Sequence, residues 1–288
     1  MSATSRTAAP VTHAIAPNRS WFRFDVGELW DRRDLLFLLF RRDFVSRYRQ
    51  TLLGPAWHVL QPLALALVFT LVFGRVAAIS TEGAPRVLFY LAGLLGWNAC
   101  SHSLQATSAT FGSNADLFGK VYFPRLIVPL AAVLTSLVAL GLQLGVFLVV
   151  LAGYRLVTPS SGVGMHWSAL WLPLLAVEAA ALGLGVGLWI SSVTARYRDL
   201  KHAMPFLLLL WMFLTPVIYP LSRVPPEYRA LALANPVAPV VEAFRHALLG
   251  AGAVLPGALV GSLASTLLIL VSGVLIFQRT ERTVVDTL

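Results

Sequence analysis

The chain has 288 residues, 57% of them hydrophobic and 12% charged, with a formal net charge of +9 and a mean hydropathy of +0.75. Soluble domains carry about 25% charged residues, so this composition excludes an ordinary soluble enzyme and indicates an all-α, multi-pass membrane protein. The basic residues stand at the ends of apolar runs and not beside a soluble aromatic platform, which excludes a nucleic-acid binder.

In chain order, residues 1–25 come first, and the Ala, Ser, Thr and Pro of residues 1–20 predict a disordered tail. The first thirty residues contain no apolar core of signal-peptide length. Residues 26–50 read as an amphipathic helix, with Phe37, Phe40, Phe44 and Tyr48 recurring on one face and Arg42, Ser46 and Arg49 on the other. Asp43 and Arg47 stand four apart, a pairing distance on a helix. Gly54-Pro55 ends this element before the first apolar run. Arg41, Arg42, Arg47 and Arg49 immediately precede that run, so the helix is expected along the headgroup layer, open to a push from a soluble partner.

A membrane span needs about 20 mostly apolar residues. Six segments qualify, at about 57–79, 87–109, 126–151, 169–193, 203–220 and 257–277. Between the second and third, residues 110–125 are short and turn-rich, with Asp116 and Lys120 placed for one small helix. Before the last span, residues 221–256 combine Pro225-Pro226, Asn235-Pro236, Pro239 and Pro256 with helical spacing of Val237, Val240, Val241, Phe244 and Leu248. Two short helices that enter one leaflet and return fit this pattern; an ordinary external loop is the alternative. Non-helical backbone at that depth survives only where protein or water covers it. Of the 22 Lys and Arg, 16 fall on the side that holds both termini and 6 on the other, which places the termini in the cytosol.

The chemistry is mostly negative. Gly119-Lys120 lacks both the preceding glycine and the following Ser or Thr of an ATP-binding phosphate loop. No zinc-protease helix, serine elbow or metal-spaced carboxylate set occurs, and Cys100, the single cysteine, permits neither an internal disulfide nor a cysteine metal site. Glu178 is the one acid deep in a span, and a hydrogen bond to a neighbouring helix suits it better than a proton relay. His58 and His102 are expected at interfaces. Phe69, Phe73, Tyr90, Trp97 and Trp211 are candidates to line a conduit for sugars, with helix packing as the competing reading.

The order of the local motifs carries a resemblance. RRDFVSRYRQTLLGPAWHVLQPL at 41–63, LVFGRVA at 71–77, KVYFPRLIVPL at 120–130, RYRDLKH at 196–202, PVIYP at 216–220 and LANPVAPVVEAFRHALLG at 233–250 follow one another over nearly the whole chain. In this the chain resembles the membrane subunit of type 2 ABC exporters, specifically permeases for lipid-linked O-antigen, capsule or teichoic-acid polymers. The resemblance implies a permease domain over residues 26–288. Within it, 26–55 would form an interface helix and 221–256 outer gate helices. Arg42, Asp43, Arg47, Tyr48, Gly54, Trp57 and Pro62 carry the family's leading signature, and Arg196, Arg198 and Asp199 its cytosolic loop. Contact with the ATPase would fall to Arg41, Arg42, Asp43, Arg47, Asp116 and Lys120. Substrate admission would fall to Arg47, Tyr48 and Arg49, and the outer gate to Asn235, Pro236, Glu242 and Arg245. The implied partners are a second copy of the chain, two copies of a separate ATPase that holds the ATP and magnesium, and a lipid-linked glycan. The implied place is a bacterial inner membrane. A permease for a drug or simple lipid, a membrane enzyme on lipid-linked sugars and a scaffold protein are the alternatives.

Overall fold

A hydrocarbon environment offers backbone groups no partner, so each chain segment within it must satisfy its own hydrogen bonds. The computed structural model describes residues 26–49, 51–114, 123–159, 163–197, 199–252 and 254–285, and among these every regular element is a helix. The basic lead-in is two helices, α1 (Val26–Asp31) and α2 (Arg33–Tyr48), interrupted at Arg32. Helix α3 (Trp57–Phe69) continues as a π-helical turn over Thr70–Val76. Then come α4 (Arg86–Ser108), the four-residue α5 (Thr110–Ser113), α6 (Ile127–Val157), α7 (Leu172–Thr194) and α8 (Leu200–Leu214). Two short helices, α9 (Pro226–Ala234) and α10 (Val237–Leu249), precede the final α11 (Pro256–Val285).

Among the described residues, four helical segments are long and apolar enough to cross a membrane: Gly54–Val76, Ile127–Val157, Trp167–Thr194 and Pro256–Glu281. The two other expected spans depart from that standard for different reasons. Helix α4 has the length, at 23 residues, but carries Asn98, Ser101, His102, Ser103, Gln105 and Thr107. It is the central helix, and 17 of its residues are buried, so its surroundings are protein and not lipid. Helix α8 stops at Leu214, six residues before the expected end. Thr215 stands before Pro216, which disfavours helical backbone, and adopts φ −94°, ψ 142°. The 15 residues of α8 rise about 22 Å, short of a hydrocarbon core of about 30 Å. Helix α6 runs six residues beyond its expected end at 151.

Glycines set the closest helix contacts. In α7, Gly183 and Gly187 face α4, and a Cβ on Gly187 would come within 2.6 Å of Thr107 Cβ and 2.9 Å of the Leu104 carbonyl. Gly185, on the other face, meets α11, where a Cβ would stand 2.9 Å from Leu270 Cα. Small residues at this spacing let backbones approach in a bundle. Helices α6 and α10 complete the wrapping of α4, and α2 packs along α6. A second apolar cluster ties α2 to the bundle through Leu39, Phe111, Ile127, Leu188 and Phe277, with Phe111 stacked on Phe277 at 4.6 Å.

Candidate functional site

The sequence-derived residues fall into three stations. At the first, Leu39 of α2 points into the bundle while Arg41, Arg42 and Arg49 stay exposed. Phe40 and Phe44 are half-buried, 6.1 Å apart. Phe37 is 65% exposed, so the expected aromatic face is split between the bundle and the surroundings. Asp43 receives two hydrogen bonds from Arg42, at 2.9 and 2.8 Å, so its carboxylate is engaged by its neighbour. Arg42 Nη2 also donates to Asn114 Oδ1 at 3.3 Å, and Asn114 Nδ2 donates to the Thr110 carbonyl at 3.1 Å. The basic helix and the 110–125 segment are thereby linked. A cavity of about 540 Å³ opens between them, with Arg42, Asp43, Ser46, Thr110 and Asn114 among its walls. The Asp116 and Lys120 sites lie outside the described residues, as do the side chains of Arg47 and Tyr48.

The aromatic station divides in two. Phe69 packs edge-on against Phe73 at 5.5 Å and against Tyr90 at 5.9 Å, and Trp97 against Trp211 at 5.8 Å. Phe69, Tyr90 and Trp97 are buried in the chain's own core, where they pack against other side chains; of the five, only Phe73 and Trp211 retain exposed edges. Phe206 and Phe213, seven residues apart on α8, are both exposed and were not singled out by the sequence.

The third station is the best ordered by hydrogen bonds. Asn235 Oδ1 accepts from Trp211 Nε1 at 3.0 Å and from the Val237 amide at 3.2 Å, while Asn235 Nδ2 donates to Thr215 Oγ1 at 2.9 Å. One side chain thus joins the end of α8 to the start of α10. The Pro236 carbonyl lies 2.7 Å from Ser262 Oγ, which is also 2.7 Å from Glu178 Oε1. Glu178 is therefore tied to α11 and the head of α10. Glu242 and Arg245, one helical turn apart, form a buried ion pair at 2.7 Å. Arg245 also donates to the carbonyls of Pro216 and Val217 at 2.7 and 3.2 Å and lies over the Phe89 ring at 3.9 Å. Glu242 Oε1 accepts the Leu221 amide at 2.9 Å. The pair therefore holds the turn over 215–221, where α8 has ended, against α10 and α4. Gly93 makes room for it, since a Cβ there would stand 2.9 Å from Arg245 Nη2.

This arrangement has no cluster of three or more metal-ligating side chains among the described residues. What it offers is a tie between α2 and the 110–125 segment at one end and, separately, a set of ties among α7, α8, α10, α11 and the 215–221 turn at the other. Residues 34–249 match the family described as ABC-2 type transporter. The chain belongs to that family. Over 223 residues it is 31% identical to the O-antigen export system permease protein RfbA of Myxococcus xanthus, covering 76% of this chain and 82% of that one. An O-antigen export permease of Klebsiella pneumoniae is 26% identical over 77% of this chain and 82% of its own length. The polysialic acid transport protein KpsM of Escherichia coli is 26% identical over 73% and 80% respectively. The ABC-2 match spans all three stations, from Asp34 in α2 to Leu249 at the end of α10.

Proposed function

We propose that this chain is the pore-forming permease half of an ATP-driven exporter that moves a lipid-linked polysaccharide out of the cytosol across a bacterial inner membrane. The observation that carries the reading is the joint match to the ABC-2 family and to permeases named for O-antigen and polysialic acid transport, each over most of both chains. In this reading the six apolar segments all cross the membrane, both termini are cytosolic, and α9 and α10 form an outer gate. Two copies enclose the conduit. Phe73, Trp211, Phe206 and Phe213 are the aromatics with surface to offer a sugar chain.

The chain supplies no ATPase of its own; ATP and magnesium belong to two copies of a partner subunit. That subunit docks on Arg41, Arg42, Asp43 and Arg47 and on the segment that holds Asp116 and Lys120. Its closure pushes α2, and the Arg42–Asn114 link passes the push to the base of α4. Arg47, Tyr48 and Arg49 receive the diphosphate of the carrier lipid, since guanidinium forks suit phosphate oxygens. Asn235, Pro236, Glu242 and Arg245 hold the outer gate.

Deletion of the gene in its native bacterium tests the reading. The expected result is loss of a surface polysaccharide and accumulation of its lipid-linked form inside the cell. An unchanged surface with no accumulated intermediate would reject polymer export.

A further inference from the structure

Cations of multi-pass proteins gather on the cytosolic side, so the two in residues 75–86, at the opposite end of α3 and α4, invite a different explanation. Arg75 and Arg86 line one cavity of about 730 Å³, formed by the π-turn after α3, the start of α4 and the far end of α6. Their convergence has a local cause. Arg86 crosses Gly74 so closely that a Cβ there would stand 2.8 Å from Arg86 Cδ. Local π-helical winding, frequent at functional sites, carries Arg75 to the same rim.

Neither guanidinium has a carboxylate partner among the described residues. Glu82, the one acid of this segment, receives the Ser222 hydroxyl instead. The first residues of α4 line the cavity, and no side chain caps that helix. Tyr154 and Thr158 add hydroxyl groups, while Val150 and Val157 make an apolar side, Val157 being largely exposed. The cavity thus has a cationic, hydroxyl-bearing part and an aliphatic part open to the surroundings.

We propose that this cavity binds the phosphate or diphosphate headgroup of a lipid, with Arg75 and Arg86 on its oxygens and its chain along the valines of α6. Charge-assisted, forked bonds to phosphate are the strong interaction available to arginine. The proposal rests on the exporter reading for its sidedness, which puts the cavity at the exit leaflet. There the ligand is either the isoprenyl diphosphate carrier or an anionic phospholipid.

The test uses the full chain in detergent micelles and calorimetric titration with geranylgeranyl diphosphate, phosphatidylglycerol and inorganic pyrophosphate. R75Q/R86Q is expected to weaken lipid binding by at least about tenfold, with unchanged elution on size exclusion. R75K/R86K, which keeps the charge, is expected to bind more tightly than R75Q/R86Q. V157W, on an exposed position, is expected to weaken lipid binding while leaving pyrophosphate unaffected, and it decides the matter if the arginine variants aggregate. Loss confined to geranylgeranyl diphosphate identifies the carrier; an equal loss for phosphatidylglycerol identifies a general anionic headgroup. Equal affinity of wild type and variants for both lipids overturns the proposal, as does pyrophosphate binding as tightly as either lipid. These titrations involve no ATPase and no export, so their failure leaves the exporter reading standing, and failure of that reading leaves them interpretable.

Discussion

Arg245 is a large charged side chain with no exposure at all, and its surroundings explain why it is tolerated there. Its charge meets Glu242, two backbone carbonyls and an aromatic face. Removing one member of a buried pair strands the other and costs about 3–5 kcal/mol, whereas replacing both by apolar residues of similar volume is often neutral or better. Arg245→Ala or Glu242→Ala should therefore markedly lower the thermal unfolding midpoint in detergent. Arg245→Met with Glu242→Leu should recover part of that loss, because it removes the stranded charge but leaves the Pro216 and Val217 carbonyls and the Leu221 amide without their partners. If the double variant is no more stable than the singles, the charge pair is not the source of the cost. The sequence motif pointed to both residues, but not to what they hold. Their partners, the Pro216 and Val217 carbonyls and the Leu221 amide, are backbone groups more than twenty residues away that carry no signal of their own. The Trp211–Asn235–Thr215 bridge was illegible for the same reason, although Asn235 itself stood out beside Pro236.

The helices were legible where lipid or sequence punctuation dictates them. Gly54-Pro55 and the long apolar runs located α3, α6, α7 and α11 to within a few residues, apart from the far ends of α6 and α11. Helix α4 was found by length, yet its polar residues make sense only once it is seen enclosed by its neighbours. The Gly183, Gly185 and Gly187 series went unread, because a glycine stripe gives no periodic apolar signal. Gly187→Leu should force α7 away from Thr107 and Leu104 and, like other overpacking, destabilise by about 1–3 kcal/mol or more. Gly141→Leu on α6, where nothing lies within 4 Å, should be close to neutral. Equal melting points for the two variants would contradict the close α4–α7 approach. A coupling prediction also belongs to this scale. Arg42→Ala removes the link between α2 and Asn114 at a site exposed enough that stability should change by no more than about 1 kcal/mol. Surface polymer should nonetheless fall several-fold while the ATPase still co-purifies; undiminished export would show that the link transmits nothing.

At the scale of the whole molecule, one packed unit joins the basic lead-in helix to the bundle and places α10 within its opposite end. Leu39, Phe111 and Phe277 weld the first, and Val240, Val241 and Phe244 bury the second against α4 and its neighbours. The order of motifs made the family recognisable. The expected aromatic lining was the least legible part, because Phe69, Tyr90 and Trp97 turn inward within the chain. In the proposed reading this permease works with a separate ATPase. Purification of the tagged chain from its native host in mild detergent, with mass spectrometry of what accompanies it, tests that most directly. The expected result is a nucleotide-binding subunit at a one-to-one ratio. A preparation that retains other membrane complexes but carries no such subunit would contradict it.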